Sequence, residues 1–345
     1  MCNIAGYVGS KAAAPILLDM IARQEGLGGG YYTGIATICD GVIHYAKLTG
    51  DTKRLLECTN AAQLPGNIGI IHSRSKSGGG DAWAHPFVGT HNGKEICAYV
   101  ANGAPGFFAD RSEKANQIAQ ELANTGYILH SRENISIPGY IRFDDGTYAH
   151  MSDVMCQLIT KHIVNGASEP ESMNTAFCEM PAEIVGLLIS LAAPDRITWS
   201  RINMPMHVAF APHGAYLATA AMEIPEDASD ASLLPACTSG NVYKNRLELF
   251  PYPQAPAQVA PINAAVRHNA YAVICDILSQ KEATAQELVD AIRPFFPKAD
   301  CYPDAPLMYD ILHGLKAEGK LSITTYRVPG SADGIDAPQF RMKLK

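Results

Sequence analysis

The sequence predicts an α+β protein in two parts. A strand-rich unit covers residues 1–250, and a small winged-helix-like unit covers 263–345. Three observations carry this reading. Short β-like runs recur from residue 3 to residue 250, with helical periodicity between only some of them. Four prolines fall between 251 and 261, where the strand pattern stops, so 251–262 reads as an extended linker. Three helical stretches and two terminal β-rich runs follow, which is the order of a winged helix-turn-helix.

The elements are read in order. Residues 3–9 carry Ile4, Tyr7 and Val8 and form a strand. Residues 12–23 place Ile16, Leu17, Met20 and Ile21 on one helical stripe, which the glycine run at 26–30 stops. Strands at 35–39 and 42–47 flank Asp40-Gly41, a hairpin signal. Residues 67–73 and 96–101 are further strands. Ser112 is placed to cap a helix over 113–123, and Ser152 one over 153–164. Strands are expected at 184–191, 197–202, 207–211, 216–220 and 242–250. Helices at 262–279, 284–295 and 305–318 follow, the second opened by a Thr284/Glu287 capping box. Runs 321–328 and 339–344 are set to pair as a wing.

A net charge of -7 argues against a general binder of nucleic acid or anionic membrane. No apolar run approaches the roughly 18–20 residues that cross a bilayer, and no secretory leader opens the chain, so a cytoplasmic protein is expected. The nine cysteines contain no CxxC pair, so reduced thiols are expected rather than a disulfide framework or a zinc site. No cofactor or metal is expected.

Cys2 carries two readings. It is a small hydrophobe at a strand end, or it is a nucleophile. Removal of Met1 would give one residue both a thiol and a free α-amine. An amine with a reference pKa of roughly 8 is partly neutral near pH 7 and can accept the thiol proton. A nucleophile also needs a binding group and an oxyanion hole. Ile70-Ile71-His72-Ser73-Arg74-Ser75 ends a strand in Arg74, which can hold a carboxylate bidentately. Tyr99-Val100-Ala101-Asn102-Gly103 ends another in a side-chain amide and a backbone N–H, which together can serve an oxyanion. Taken singly, the arginine also reads as a solvated charge and the Asn-Gly as a turn.

In this order the stretches resemble the class II glutamine amidotransferases, which are N-terminal-nucleophile hydrolases. The opening Met1-Cys2-Asn3-Ile4-Ala5-Gly6 resembles the family's Met-Cys-Gly-Ile-x-Gly start. His72-Ser73-Arg74 is similar to its His-Thr-Arg, Ala84-His85-Pro86 to its Ala-His-Pro, and Ala101-Asn102-Gly103 to its His-Asn-Gly. Ser152-Asp153 is similar to its Ser-x-Asp at a helix start. By texture the resemblance is to the glutaminase domains of glucosamine-6-phosphate synthases, over residues 1–250. It implies a four-layer αββα sandwich. It implies Cys2 as nucleophile and Asn102 with Gly103 as oxyanion hole. Arg74 would hold the α-carboxylate of L-glutamine, Asp153 would hold its α-ammonium, and His85 would shape the same pocket. Glutamine would acylate Cys2, release ammonia, and leave as glutamate after water cleaves the thioester.

The chain departs from the family pattern at Asn3, at Gly29-Gly30-Tyr31-Tyr32-Thr33, and after Arg74, where Ser75, Lys76, Ser77 and Gly78 stand. Ser75 and Ser77 are taken as substrate-side residues of this altered loop. The changes keep two alternatives in view: an amidohydrolase for another amide, and a decayed glutamine sensor signalling through the winged helix. Ser77-Gly78-Gly79-Gly80-Asp81 resembles a nucleotide phosphate loop, but Pro86 blocks the helix such a loop must enter, so a glycine-rich lid is expected instead. Residues 263–345 hold ten Lys/Arg and ten Asp/Glu, without the basic stripe of a DNA-binding winged helix. Self-association into a homo-oligomer, or docking to a separate ammonia-accepting synthase, fits that balance better.

Overall fold

The strand that begins behind Cys2, β1 (Asn3–Gly9), shows how the chain folds. Its side chains alternate between two apolar environments, as a strand buried on both faces requires. Ile4 and Val8 point into a core between two sheets, while Ala5 and Tyr7 point into a second core under a helix layer. The structure is a computed structural model and describes residues 2–76, 78–104 and 112–345.

In chain order β1 is followed by α1 (Ala13–Gln24), β2 (Tyr32–Cys39), β3 (Val42–Thr49), α2 (Thr52–Cys58) and β4 (Ile68–Arg74). Next come β5 (Phe87–His91), β6 (Lys94–Ala104), α3 (Ser112–Asn124), the short pair β7 (Ile141–Arg142) and β8 (Tyr148–Ala149), α4 (Met151–Val164) and α5 (Glu169–Glu179). Then follow β9 (Glu183–Ser190), β10 (Ala193–Arg201), β11 (His207–Ala211), β12 (Gly214–Ala218), β13 (Ser232–Leu233), β14 (Thr238–Tyr243) and β15 (Leu247–Pro251). A seven-stranded sheet runs β13-β11-β12-β1-β4-β2-β3, and a six-stranded sheet runs β15-β14-β10-β9-β6-β5. Every ladder in both sheets is antiparallel. Helices α1 and α2 cover the outer face of the first sheet; α3, α4 and α5 cover that of the second. Trp199, Leu187, Val100 and Ile70 fill the space between. The result is a mixed α/β sandwich with helices outside two stacked sheets.

The hairpin at Asp40-Gly41 forms as the sequence predicts, with φ of 51° and 72° at those positions, the doubly positive pair that a two-residue turn needs. Other expectations need correction. Residues 242–250 are not one strand but parts of β14 and β15, folded on each other through residues 244–246. Ser152 does not cap α4; His150 does, its Nδ1 accepting from the Ser152 N–H at 3.1 Å. Strand β5 and helix α5 were not foreseen. Pro170 sits in the first turn of α5, where the missing N–H costs nothing, but the helix has only a weak apolar stripe to announce it.

The stretch after β15 has no regular structure over 252–263, yet it is not a free tether. Tyr252 is buried with its hydroxyl on Ser200, and the Gln258 N–H donates to Asp300. Helices α6 (Ala264–Gln280), α7 (Ala285–Ile292) and α8 (Asp304–Ala317) follow, then the hairpin β16 (Leu321–Pro329) and β17 (Asp336–Leu344). The capping box at Thr284 and Glu287 is present. Val266, Ala270, Ile274 and Leu278 make a four-residue stripe on α6 that meets Leu288, Leu312 and Met342. The same cluster takes in Leu27, Ala220 and Met222 from the larger unit, so the two cores are continuous. Among the described residues no helix is long and apolar enough to cross a membrane.

Candidate active site

Period-two geometry places the site. Cys2 shares the inner face with Ile4, so its thiol points between the sheets. Strand β4 antiparallel to β1 brings His72 and Arg74 to the same face, one rung from Ser73, which lies opposite Asn3. Strand β6 of the other sheet brings Asn102 in from across the gap. His72 spans that gap, its Nε2 lying 2.9 Å from the Ala101 carbonyl oxygen. The site is therefore built where the two sheets meet.

The Cys2 N–H donates to Asn102 Oδ1 at 3.1 Å. Asn102 Nδ2 is buried and has no partner among the described residues. An amide held by its oxygen and left with an idle donor is arranged to donate to something that arrives later. Gly103 lines the same cavity. A Cβ there would lie 2.5 Å from the Glu183 carbonyl oxygen, so glycine is required by close approach to β9. Ser75 stands on the other side of the sulfur: its N–H donates to Cys2 Sγ at 3.4 Å, and its hydroxyl is 3.6 Å away.

Burial pushes the Cys2 thiol up, but the His72 imidazole beside it and the Ser75 N–H outweigh that and hold it at about 6. The thiolate is the form present at neutral pH. His72 and Ser75 thus adjoin the Cys2 thiol, a neighbourhood for His72 that motif spacing alone does not reveal.

The cavity measures about 270 Å³. Cys2, Arg74, Ser75 and His85 line one side; Pro138, Gly139, Tyr140, His150 and Ser152 line another. Ala101, Met155 and Ile184 make much of it apolar. Arg74 is buried over the Tyr32 ring and donates to Gly78 O at 2.8 Å, Trp83 O at 2.9 Å and Tyr140 Oη at 3.3 Å. It ties down the glycine-rich segment as well as facing the cavity. Tyr32 Oη donates to Gly79 O at 3.0 Å, a second tie on that segment. Lys47 straps its far end: Nζ donates to the carbonyls of Ala82, Ala84 and Pro86, and burial pulls its pKa down to about 8.

His85 is stacked on His72, with ring centroids 3.9 Å apart, and meets His150 edge-on at 5.2 Å. Burial, then the neighbouring His72, pushes His85 well below the ordinary imidazole range, so it is neutral. Neither of its nitrogens has a partner among the described residues. Asp153 lies fully buried in the first turn of α4, behind Ser152 rather than on the cavity wall. The Ser131 N–H and hydroxyl donate to its Oδ2 at 2.7 and 2.8 Å, while Oδ1 has no partner among the described residues. Ser77 lies outside the described residues.

The structure thus brings Cys2, Arg74, Ser75, His85 and Gly103 around one cavity, joins Asn102 to the Cys2 main chain beside it, and sets Asp153 a layer behind it. Sequence reasoning did not reach His72, Lys47, Tyr140 or His150. An imidazole beside Arg74 was visible as a motif letter, but its contact with the sulfur comes from strand register. Tyr140 lies in a long loop whose fold no local pattern dictates.

In fold and in site the chain resembles the class II glutamine amidotransferases, the N-terminal-nucleophile type. The proteins it is similar to are specific. The glutamine–fructose-6-phosphate aminotransferase (isomerizing) of Pyrococcus horikoshii is 30% identical over 200 residues, 54% of this chain and 31% of that enzyme. Its counterpart from Clostridium tetani is 25% identical over 221 residues, 64% of this chain and 31% of that enzyme. The matches thus span about a third of the length of these relatives. Among solved structures, glutamine phosphoribosylpyrophosphate amidotransferase from B. subtilis aligns with a TM-score of 0.58 at 13% identity, covering 94% of this chain and 67% of that one. The allosteric regulatory enzyme of purine biosynthesis gives 0.59 at 13% identity, covering 97% and 67%. At such identity these two speak for the fold alone. No protein-family model matches the chain.

Proposed function

We propose that the protein hydrolyses L-glutamine to glutamate and ammonia through a thioester on Cys2. The observation that carries this is the buried thiol of Cys2 lining a cavity, with the idle donor of Asn102 beside its main-chain nitrogen. With Met1 removed, the Cys2 amine carries the proton that the thiol has given up, and the thiolate attacks the carboxamide carbon. Asn102 Nδ2 and the Gly103 N–H receive the oxyanion. The carbon–nitrogen bond breaks, the amine-held proton leaves with ammonia, and water then cleaves the thioester. Arg74 receives the α-carboxylate, and Asp153 attracts the α-ammonium from behind Ser152, one layer back from the cavity wall. His85, kept neutral, holds the wall next to them. The ammonia passes to a separate acceptor enzyme. The unit 263–345 is a winged-helix-like module on a 1–250 glutaminase domain, and the protein works in the cytoplasm.

The test is intact mass before and after a diazo-ketone analogue of glutamine. Loss of Met1 and one adduct on Cys2 is the expected result; a processed chain that takes no adduct would overturn glutamine as substrate. One observation favours a second reading, in which another amide is cleaved. The loop carbonyls of Gly78 and Trp83 already occupy part of the Arg74 fork, and much of the cavity wall is apolar. A panel of primary amides in which glutamine is not the fastest would select it.

A further inference from the structure

We infer that His150 is a specificity-determining residue of the Cys2 cavity: its Nε2–H, with the Tyr140 hydroxyl next to it, donates to the substrate's α-carboxylate alongside Arg74. The inference deepens the proposed glutamine hydrolysis, on which its turnover arm rests.

The argument starts from the tautomer. The Ser152 N–H donates to His150 Nδ1 at 3.1 Å. A ring nitrogen that accepts a hydrogen bond carries no proton, so the proton of this ring sits on Nε2. The ring is a neutral donor, held in place by its role as the cap of α4. Burial, then the Arg74 guanidinium, pushes its pKa well below the ordinary imidazole range and keeps it uncharged. The rings of His85, Phe87, Tyr140 and Trp83 wedge it, with centroids 5.2, 5.3, 5.3 and 5.7 Å from its own. His150 is only 7% exposed and lines the cavity, and Nε2 makes no hydrogen bond among the described residues.

Tyr140 adds a second donor. Its Oη accepts from Arg74 Nη2 at 3.3 Å, and its own hydrogen has no acceptor among the described residues. Arg74 gains from such help, because its fork already donates to the carbonyls of Gly78 and Trp83 at 2.8 and 2.9 Å. Tyr140 touches both Arg74 and His150, so the three border one stretch of the cavity. A cation and two neutral donors suit the two oxygens of a carboxylate. The same helix start answers the other half of an α-amino acid. Asp153 follows three residues on, and its N–H donates to the His150 carbonyl oxygen at 3.0 Å. The Ser131 hydroxyl ties the pair together: it accepts from the His150 N–H at 2.9 Å and donates to Asp153 Oδ2 at 2.8 Å. An α-carboxylate and an α-ammonium share one carbon, and the first turn of α4 sets a donor for the one beside a negative charge for the other.

The test uses the full chain and two variants that separate the cap from the donor. His150→Asn keeps a cap acceptor where Nδ1 stands and loses the Nε2–H. His150→Gln reaches an amide N–H toward the place of Nε2 and loses the cap. His150→Asn is expected to raise KM for glutamine by about 10- to 100-fold, with kcat within about threefold and Cys2 alkylation by iodoacetamide within about twofold of wild type. His150→Gln should keep KM closer to wild type while lowering Tm more. Protection of Cys2 from iodoacetamide gives an arm that needs no turnover. Glutaramate, an amide with a carboxylate, should protect wild type about 10-fold better than pentanamide, which has none, and the preference should vanish in His150→Asn. An unchanged KM in His150→Asn, or wild-type protection that ignores the carboxylate, would overturn the inference. If wild type does not turn over glutamine, the substrate assignment fails while the protection arm still decides the role of His150.

Discussion

At the scale of single residues, the site rests on a low-pKa thiol and an idle amide. Cys2→Ala is expected to abolish hydrolysis and adduct formation together, since among the described residues no second thiol lines the cavity. Because His72 and Ser75 hold the thiol at about 6, alkylation of Cys2 should rise through that pH and level off above pH 7. An ordinary cysteine, in contrast, keeps rising toward pH 9. His72→Ala should move the inflection upward. Asn102→Ala should lower kcat by roughly 100- to 1,000-fold while KM changes little, as expected when a transition-state donor is lost. The sequence offered Cys2, Arg74, Asn102 and Gly103 as candidates, because the proposed chemistry needs those residue types at strand ends and the motif spacing keeps them there. It did not announce that Asp153 stands one layer back with Ser131 on its Oδ2, because that depends on how the long loop before α4 folds.

At the scale of elements, the loop between α1 and β2 carries a buried carboxylate. Burial pushes Glu25 up to about 7 against the pull of two Thr52 hydrogen bonds. Its folded pKa lies above its unfolded one, so the stability it contributes is full below about pH 4.5 and is lost as pH rises through about 7. Glu25→Gln should therefore flatten the fall in stability between pH 4.5 and 8, by up to about 3 kcal/mol, in urea titrations at several pH values. Wild-type and variant curves that run parallel would contradict it. Most elements were legible because they follow strong periodicity. Strand β1 and helix α1 are cases where the pattern and the packed faces agree residue by residue. The single run assigned to 242–250 failed for the opposite reason: Lys244-Asn245-Arg246 is a polar turn without the glycine that marks the Asp40-Gly41 hairpin.

At the scale of the whole molecule, the C-terminal unit shares a core with the larger one, and its interface mixes strong and weak contacts. Lys316 reaches Glu223 and Arg327 reaches Asp51, each with its cation about half exposed. Replacing either by alanine leaves a buried carboxylate without its cation and should cost about 1–3 kcal/mol. Leu312→Ala, which opens a cavity in the shared cluster, should cost about 2–5 kcal/mol and lower a single cooperative transition rather than release one unit first. Calorimetry showing two separate transitions in the wild type would refute the shared core. The order of three helices followed by a hairpin was readable from the sequence. That the unit lays Pro338 and Phe340 against the glycines at 26–30 was not, because contacts between residues so far apart in the chain leave no local trace.

Cys2 comes from one sheet and Asn102 with Gly103 from the other, so how they meet is set by the slab of Ile, Val, Leu and Trp side chains between the sheets. The reactive distance is thus a gauge of core thickness. Trimming Ile70 or Leu187, or compressing the protein under hydrostatic pressure, would tune the chemistry from inside the hydrophobic interior without touching a polar group.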